Sequence, residues 1–233
     1  MKVNYDELWN QTWGGMQDVG PVHRHSARII VDTLRPLRVQ SLIDVGCGNG
    51  ANLEAIQREL HIPDVTGVDV SDNALASARR RVPADFRIMD LEKDPPLDRT
   101  FDMVLTSQVI EHLHDDDAFL RKLRAMCGRY VFVGTMQGRM RKSEVHIGHL
   151  RNYTRRGLEE KMHAAGFSVE KVIEWGFPFY SPIYRTLIEF IGGQTAEISY
   201  SKRDRMIANA LYHLYKLNMS TRGDVLMILG KAA

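Results

Sequence analysis

From residue 41 onward the chain alternates two kinds of apolar pattern. Short runs rich in aliphatic residues, at 41–45, 64–70, 85–89, 101–106, 130–133, 167–174 and 224–231, read as buried strands. Between them, residues 50–60, 72–81, 115–126 and 154–165 place apolar side chains at helical spacing. Ser71 and Thr154 stand where helix N-caps belong, the acids at 115–117 suit a first helical turn, and Gly166 fits the residue just past a helix end. Strand–helix alternation of this kind predicts a doubly wound α/β fold, a parallel sheet with helices on both faces. In such folds ligands bind beyond the carboxyl ends of the strands.

The pattern also divides the chain. Residues 1–40 are expected to form an N-terminal helical cap holding Trp9, Trp13 and His23-Arg24-His25, with a helix over 26–34. Residues 41–175 make up the α/β core, within which 136–153 form a basic loop. Residues 176–222 are an insert between the sixth and seventh strands, and 223–233 supply the final strand. The insert carries Phe177-Pro178-Phe179-Tyr180 and then two helices. The second of these puts Met206, Ile207, Ala210, Leu211, Leu214 and Tyr215 on one face. That face is expected to pack on the core or on a second copy of the chain, and the insert as a whole to act as a lid over the substrate.

The chemistry concentrates first in Asp44-Val45-Gly46-Cys47-Gly48-Asn49-Gly50, a strand running into a G-x-G-x-G turn and then a helix. Glycines there let a ligand press against the main chain, and the helix N-terminus offers unpaired N–H groups. A dinucleotide site would prefer G-x-G-x-x-G, and Asp44 at the strand end would repel a pyrophosphate but suit a cation. The stretch resembles motif I of the class I S-adenosylmethionine-dependent methyltransferases, of the small-molecule type. The resemblance covers about residues 40–175 and the last strand. It implies a Rossmann-like sheet of seven strands with the last antiparallel.

The resemblance also assigns roles. Gly46, Cys47 and Gly48 wrap the methionine part of S-adenosylmethionine, and Asp44 lies near its amino group. Asp69, with Val70 after it, accepts the ribose hydroxyls. Asp90 receives the adenine amino group and Leu91 meets the ring. Gln108, Val109 and His112 line the sulfonium end. Ubiquinone-biosynthesis O-methyltransferases associate a similar acid and histidine pair with a divalent metal. Glu111 and His112 match that pair, but Gln108 stands where another acid is expected, so the pair reads as structural and no metal is assigned. His146 and His149 are spaced like metal ligands, but no third ligand is visible, and zinc is discounted.

His149 or His146 is the expected general base for an acceptor hydroxyl, with Tyr153 orienting the acceptor. Arg24, Arg151, Phe179 and Tyr180 are the expected substrate contacts. Arg139, Arg141, Lys142, Arg151, Arg155 and Arg156 crowd one region, which suggests an anionic acceptor. The expected reaction is methyl transfer to an oxygen, less readily a nitrogen, of a small, anionic and partly apolar metabolite, with S-adenosylhomocysteine as product. An RNA or protein methyltransferase and an NAD-dependent oxidoreductase are the alternatives.

Composition narrows this little. Thirty-one basic residues against 29 acids leave a net charge of +2, too small for a global pull toward nucleic acid. Two cysteines imply no disulfide framework, no run is long enough to span a bilayer, and residues 1–10 are unlike a secretory leader, so the cytoplasm is the expected compartment.

Overall fold

The computed structural model describes residues 14–190 and 201–233. Trp9 and Trp13 of the expected cap, and 191–200 of the insert, lie outside the described residues. Two helices, α1 (Gly14–Val19) and α2 (Pro21–Leu34), precede the sheet. The strands are β1 (Ser41–Val45), β2 (Asp64–Asp69), β3 (Asp85–Ile88), β4 (Phe101–Ser107), β5 (Cys127–Met136), β6 (Phe167–Trp175) and β7 (Val225–Ala232). They form one seven-stranded sheet in the order β3-β2-β1-β4-β5-β7-β6. β7 runs antiparallel to both β5 and β6, and the remaining pairs are parallel. This is the expected seven-stranded arrangement.

Helices α3 (Ala51–Leu60), α4 (Asp72–Arg81), α5 (Asp116–Met126), α6 (Lys142–His146) and α7 (Arg155–Ala164) connect the strands. The insert supplies α8 (Arg185–Phe190) and α9 (Lys202–Tyr215). Alternation along β1 explains the two layers. Leu42 belongs to the core beneath α2, α3 and α4, with Ile30, Leu53, Ile56 and Leu75. Ile43 and Val45 point to the opposite core, with Phe119, Leu123, Leu158 and Met162 of α5 and α7. The expected caps form: Ser71 accepts from Ala74 N–H, and Thr154 from Gly157 N–H.

Two boundaries differ from the sequence reading. α2 starts at Pro21 rather than 26, because proline's fixed φ suits a first helical turn; His23, Arg24 and His25 therefore lie inside the helix. β5 extends from Cys127 to Met136 because β7 pairs with it in register from Tyr130↔Lys231 to Met136↔Val225. The apolar face of α9 also needs correction. Ala208, Leu211, Tyr212 and Tyr215 turn inward, whereas Met206, Ile207 and Leu214 are exposed. The helix is rotated because it packs on α2 around His25.

His25 is fully buried and fixes that contact. Its ring stacks on Trp175 and Tyr212, with centroids 4.9 and 4.4 Å away, and its Nε2 lies 2.9 Å from the Tyr212 carbonyl oxygen. Burial pushes its pKa down to about 4, with Arg28, Arg24 and Lys216 nearby adding to the effect. The native state thus keeps His25 neutral where the unfolded chain protonates it. Its contribution to stability is complete above about pH 6.5 and is lost as pH falls toward 4. His25→Phe, which keeps a stacked ring but cannot protonate, should shrink the drop in melting temperature between pH 7 and pH 5 by about 2–4 °C, the shift that ~1 kcal/mol produces in a chain of this size. Thermal melts of both proteins at the two pH values check this; an unchanged drop would remove His25 from the acid sensitivity.

Candidate active site

The strand order reverses between β1 and β4, and the carboxyl ends of the strands open there into a cavity of about 1700 Å³. The glycine turn forms its floor. Gly46, Gly48 and Gly50 have φ of 81°, 54° and 79°, in the left-handed region that favours glycine. A Cβ on Gly46 would sit 2.3 Å from Val109 Cγ2, so the glycine loop and the turn after β4 meet where no side chain fits.

Of the expected cofactor contacts, Gly46, Asp69, Val70, Asp90, Leu91, Gln108, Val109 and His112 line the cavity. Asp69 accepts hydrogen bonds from Gly48 N–H (2.8 Å) and Ser71 N–H (3.0 Å), which lock the glycine turn onto β2. Asp90 is more occupied than expected. It accepts from the backbone N–H of Glu92 and Lys93 and pairs with the Lys93 ammonium, which holds its carboxyl below the usual range. Gln108 takes a positive φ of 60°, rare for a residue with a side chain, while its N–H donates to Gly134 O at 2.8 Å.

Asp44 and Cys47 lie behind the cavity wall. Asp44 is 1% exposed, and neither carboxylate oxygen has a hydrogen-bond partner among the described residues. Burial, and then the charge of Asp69, push its pKa up to about 8. Cys47 packs its sulfur 2.9 Å from where a Cβ of Gly67 would sit. The cysteine fills the space that this glycine leaves, so its expected cofactor contact is replaced by packing against β2. Burial pushes its thiol up as well.

The acceptor side departs further from the sequence reading. His149 lines the cavity, buried and close to the His112 ring. His146 is exposed at the end of α6, outside the cavity lining, and does not serve as the base there. Tyr153 is buried in the α5–α7 core and donates to Asp116 Oδ2 at 2.7 Å, so it cannot orient an acceptor. Arg151 pairs with Asp116 at 3.1 Å and donates to His114 O, again outside the lining. Phe179 packs against the core rather than facing the cavity, whereas Tyr180 and Arg24 line it, Arg24 stacked over Tyr212 at 3.8 Å.

The basic loop is neutralised rather than gathered. Arg155 and Arg156 pair with Glu159 and Glu160 along α7, and Arg139 pairs with Glu189. Only Arg141 of that group lines the cavity, joined there by Arg185 of α8. Arg185 is buried between Glu144 and Asp224, and Glu144 also accepts from Asn152 and from the Arg141 N–H. Sequence reading missed Glu144, Tyr184 and Arg185, which become neighbours only through the long return from β5 to β7. The Tyr184-Arg185 pair in an otherwise apolar stretch was the available signal.

The fold also brings together three groups that spacing kept apart. Glu111 and His112 lie in a single turn after β4, and Leu150 N–H donates to Glu111 O at 2.8 Å, which draws the loop bearing His149 onto them. The third ligand not visible from spacing is therefore present in space. One ligand atom of each of Glu111, His112 and His149 lies within 4.8 Å of the other two.

A family model described as a methyltransferase domain matches residues 42–128. A ubiquinone biosynthesis O-methyltransferase of Rhizobium etli (strain CIAT 652) is 32% identical over 128 residues, covering 52% of this chain and 51% of its own length. One of the same name from Paramagnetospirillum magneticum is 38% identical over 92 residues, 37% of this chain and 36% of its own. The chain thus spans about half or less of the curated relatives it matches. Among solved structures, phosphoethanolamine N-methyltransferase 2 of Haemonchus contortus in complex with S-adenosyl-L-methionine aligns over 99% of this chain and 60% of its own, at 17% identity and a TM-score of 0.68. Magnesium protoporphyrin IX methyltransferase of Synechocystis PCC 6803 with bound S-adenosylhomocysteine aligns over 100% and 90%, at 14% identity and a TM-score of 0.59. No helix among the described residues is long and apolar enough to cross a membrane. The matched methyltransferase domain spans the glycine turn, Asp69 and Asp90, and the seven-stranded sheet with its antiparallel last strand is the fold shared with these solved methyltransferases.

Proposed function

We propose that this chain transfers the methyl group of S-adenosylmethionine to an oxygen of a small metabolite that is partly apolar and carries an anionic group. One observation carries the reading. A single cavity joins the residues of the cofactor motifs to His149, Arg141, Arg185, Tyr180 and Tyr184. At about 1700 Å³ it exceeds the ~300–1000 Å³ of an ordinary ligand pocket, which supports two molecules side by side. The name of the curated relatives, O-methyltransferase, supports oxygen as the acceptor atom.

The residues fit the cofactor. Asp44 is a buried carboxyl whose partners are absent among the described residues, and an ammonium is the partner such a group needs. The cradle at Gly46 is one that a Cβ would fill. Bound there, S-adenosylmethionine supplies a methyl group already activated on a sulfonium. The chain's own residues are left to orient, dehydrate and handle a proton. Asp69 and Asp90 hold the nucleoside, and Val109 closes the glycine turn. Tyr180 and Tyr184 give the acceptor an apolar wall, and Arg24, which pairs with no carboxylate among the described residues, gives its anionic group a cationic contact. Burial holds His149 at a pKa of about 4, so its ring is neutral at physiological pH and presents a lone pair to the acceptor's hydroxyl.

Calorimetric titration with S-adenosylhomocysteine, with NAD(H) as comparison, tests the reading; absence of S-adenosylhomocysteine binding would sink it. Asp69→Ala should weaken that binding at least tenfold. His149→Ala should leave it within about twofold while lowering the rate of methyl transfer by about 10²-fold or more. Equal turnover in His149→Ala would remove the histidine from the acceptor's chemistry.

Asp44 yields a pH prediction of definite sign. Its raised pKa means that the empty native state holds a proton which the unfolded chain releases, so stability falls as pH rises from about 4 toward 8. Cofactor binding needs the ionised form, so affinity should climb over the upper part of the same window. Asp44→Asn should therefore raise the melting temperature of the empty protein, more at pH 8 than at pH 5, while weakening S-adenosylhomocysteine binding at least tenfold and flattening its pH dependence. Melts and titrations at both pH values check the opposed effects; a variant less stable at pH 8 would contradict the charge argument.

A further inference from the structure

His149 has two ring nitrogens, and its surroundings decide which of them carries the hydrogen. The ring lines the cavity, and its Nδ1 is buried with no closed hydrogen bond among the described residues. Asn152, three residues along the same loop, is in the complementary position. Its Nδ2 donates to Glu144 Oε2 at 3.0 Å, while its Oδ1 is buried and unpaired. The two unpaired atoms stop short of a closed hydrogen bond. Even so, the Asn152 side chain is near enough to raise the ring's pKa against burial, which is the larger effect and lowers it.

The direction of the amide follows from its other partner. Glu144 is a carboxylate with acceptors only. Its Oε2 takes the Arg141 N–H at 2.7 Å as well as Asn152, and its Oε1 takes the Arg185 guanidinium. An amide beside such a group turns its NH2 toward the carboxylate and its oxygen away. A bare acceptor then stands beside a bare ring nitrogen, and both are satisfied in one way, with the hydrogen on Nδ1. Nε2 is left with the lone pair, and it is not enclosed as Nδ1 is. Glu144 also accepts the His149 backbone N–H at its carbonyl oxygen, at 3.0 Å. One residue thus aims the amide and fixes the backbone from which the ring extends.

We propose that Asn152 is a positioning residue: held by Glu144 and Arg185, its Oδ1 accepts from His149 Nδ1–H and so turns the Nε2 lone pair toward the methyl acceptor. The part this plays in methyl transfer rests on the methyltransferase reading; the tautomer does not. In the transfer, the acceptor oxygen's lone pair forms the bond to the methyl carbon and the carbon–sulfur bond pair leaves on sulfur. The hydroxyl proton passes to Nε2, which returns it to water after the products leave. While the ring is a cation it carries a hydrogen on each nitrogen, and Asn152 Oδ1 keeps the inner one paired. The opposite tautomer would present an N–H to a hydroxyl that has to lose its proton, and would block the transfer.

Nitrogen NMR of protein labelled with nitrogen-15 histidine, at neutral pH, tests the proposal; His149→Gln identifies the ring's signals by removing them. The unaltered protein should show a single neutral tautomer, with the hydrogen on Nδ1. Asn152→Ala should lose that preference, and Glu144→Gln, which can meet the amide either way round, should lose it too. Asn152→Asp, which keeps an oxygen toward the ring, should retain it. A packing role for Asn152 would leave the tautomer unmoved in all three. Hydrogen on Nε2 in the unaltered protein, or an unchanged tautomer in Asn152→Ala, overturns the proposal. S-adenosylhomocysteine titrated into the same samples separates the two readings. A ring with hydrogen on Nδ1 in a protein that does not bind it supports the tautomer and overturns the methyltransferase reading instead.

Discussion

Two carboxylates brought to the ends of adjacent strands organise the cofactor end of this molecule. Parallel pairing sets Asp44 opposite Gly67, so Asp69 arrives two residues further along the neighbouring strand and within reach of its charge. The two acids are treated differently. Asp69 takes two backbone N–H groups and stays fixed, while Asp44 is stripped of water and given none. A carboxyl so buried keeps its proton, its pKa pushed up to about 8, unless a cation lies beside it. The glycines follow from the same demand, since the turn passes between the acids with left-handed φ at Gly46, Gly48 and Gly50.

The acceptor end is held by charge of another kind. Arg185 reaches from the insert between Glu144 on the basic loop, itself buried, and Asp224 at the start of the last strand's approach, a quarter exposed. Glu144 in turn fixes the loop through Asn152 and accepts, at its backbone carbonyl, the N–H of His149. The position of His149 thus depends on an arginine in a segment remote in sequence. The cavity is completed by long-range pairing rather than by any local motif.

This division decides what was legible in the chain. The strands and their connecting helices, the glycine turn, and Asp69 and Asp90 at strand ends could be read because local pattern and a fixed spacing determine them. Tyr153 and Arg151 were misassigned because a sequence cannot tell whether a polar residue beside a site faces ligand or a buried acid, and here Asp116 claims both. The arginine cluster misled for a related reason: α7 supplies Arg155 and Arg156 each with an acid one turn away, and Glu189 takes Arg139 and Arg141. The α9 face was rotated because a buried histidine on α2, not apolar periodicity, sets how that helix sits. The convergence of His149 on Glu111 depends on one backbone hydrogen bond, from Leu150, that no spacing rule anticipates.

The shielding of Arg185 bears on how molecules enter and leave. Ion pairs on the outside of α7 are dampened by ordinary salt, since they lie in water within reach of counter-ions. A guanidinium enclosed between two carboxylates is scarcely screened, and separating it leaves a charge stranded in the interior. Displacing α8 would have to break those pairs, so the cost of doing so should be nearly indifferent to ionic strength, unlike the cost of breaking the pairs on α7.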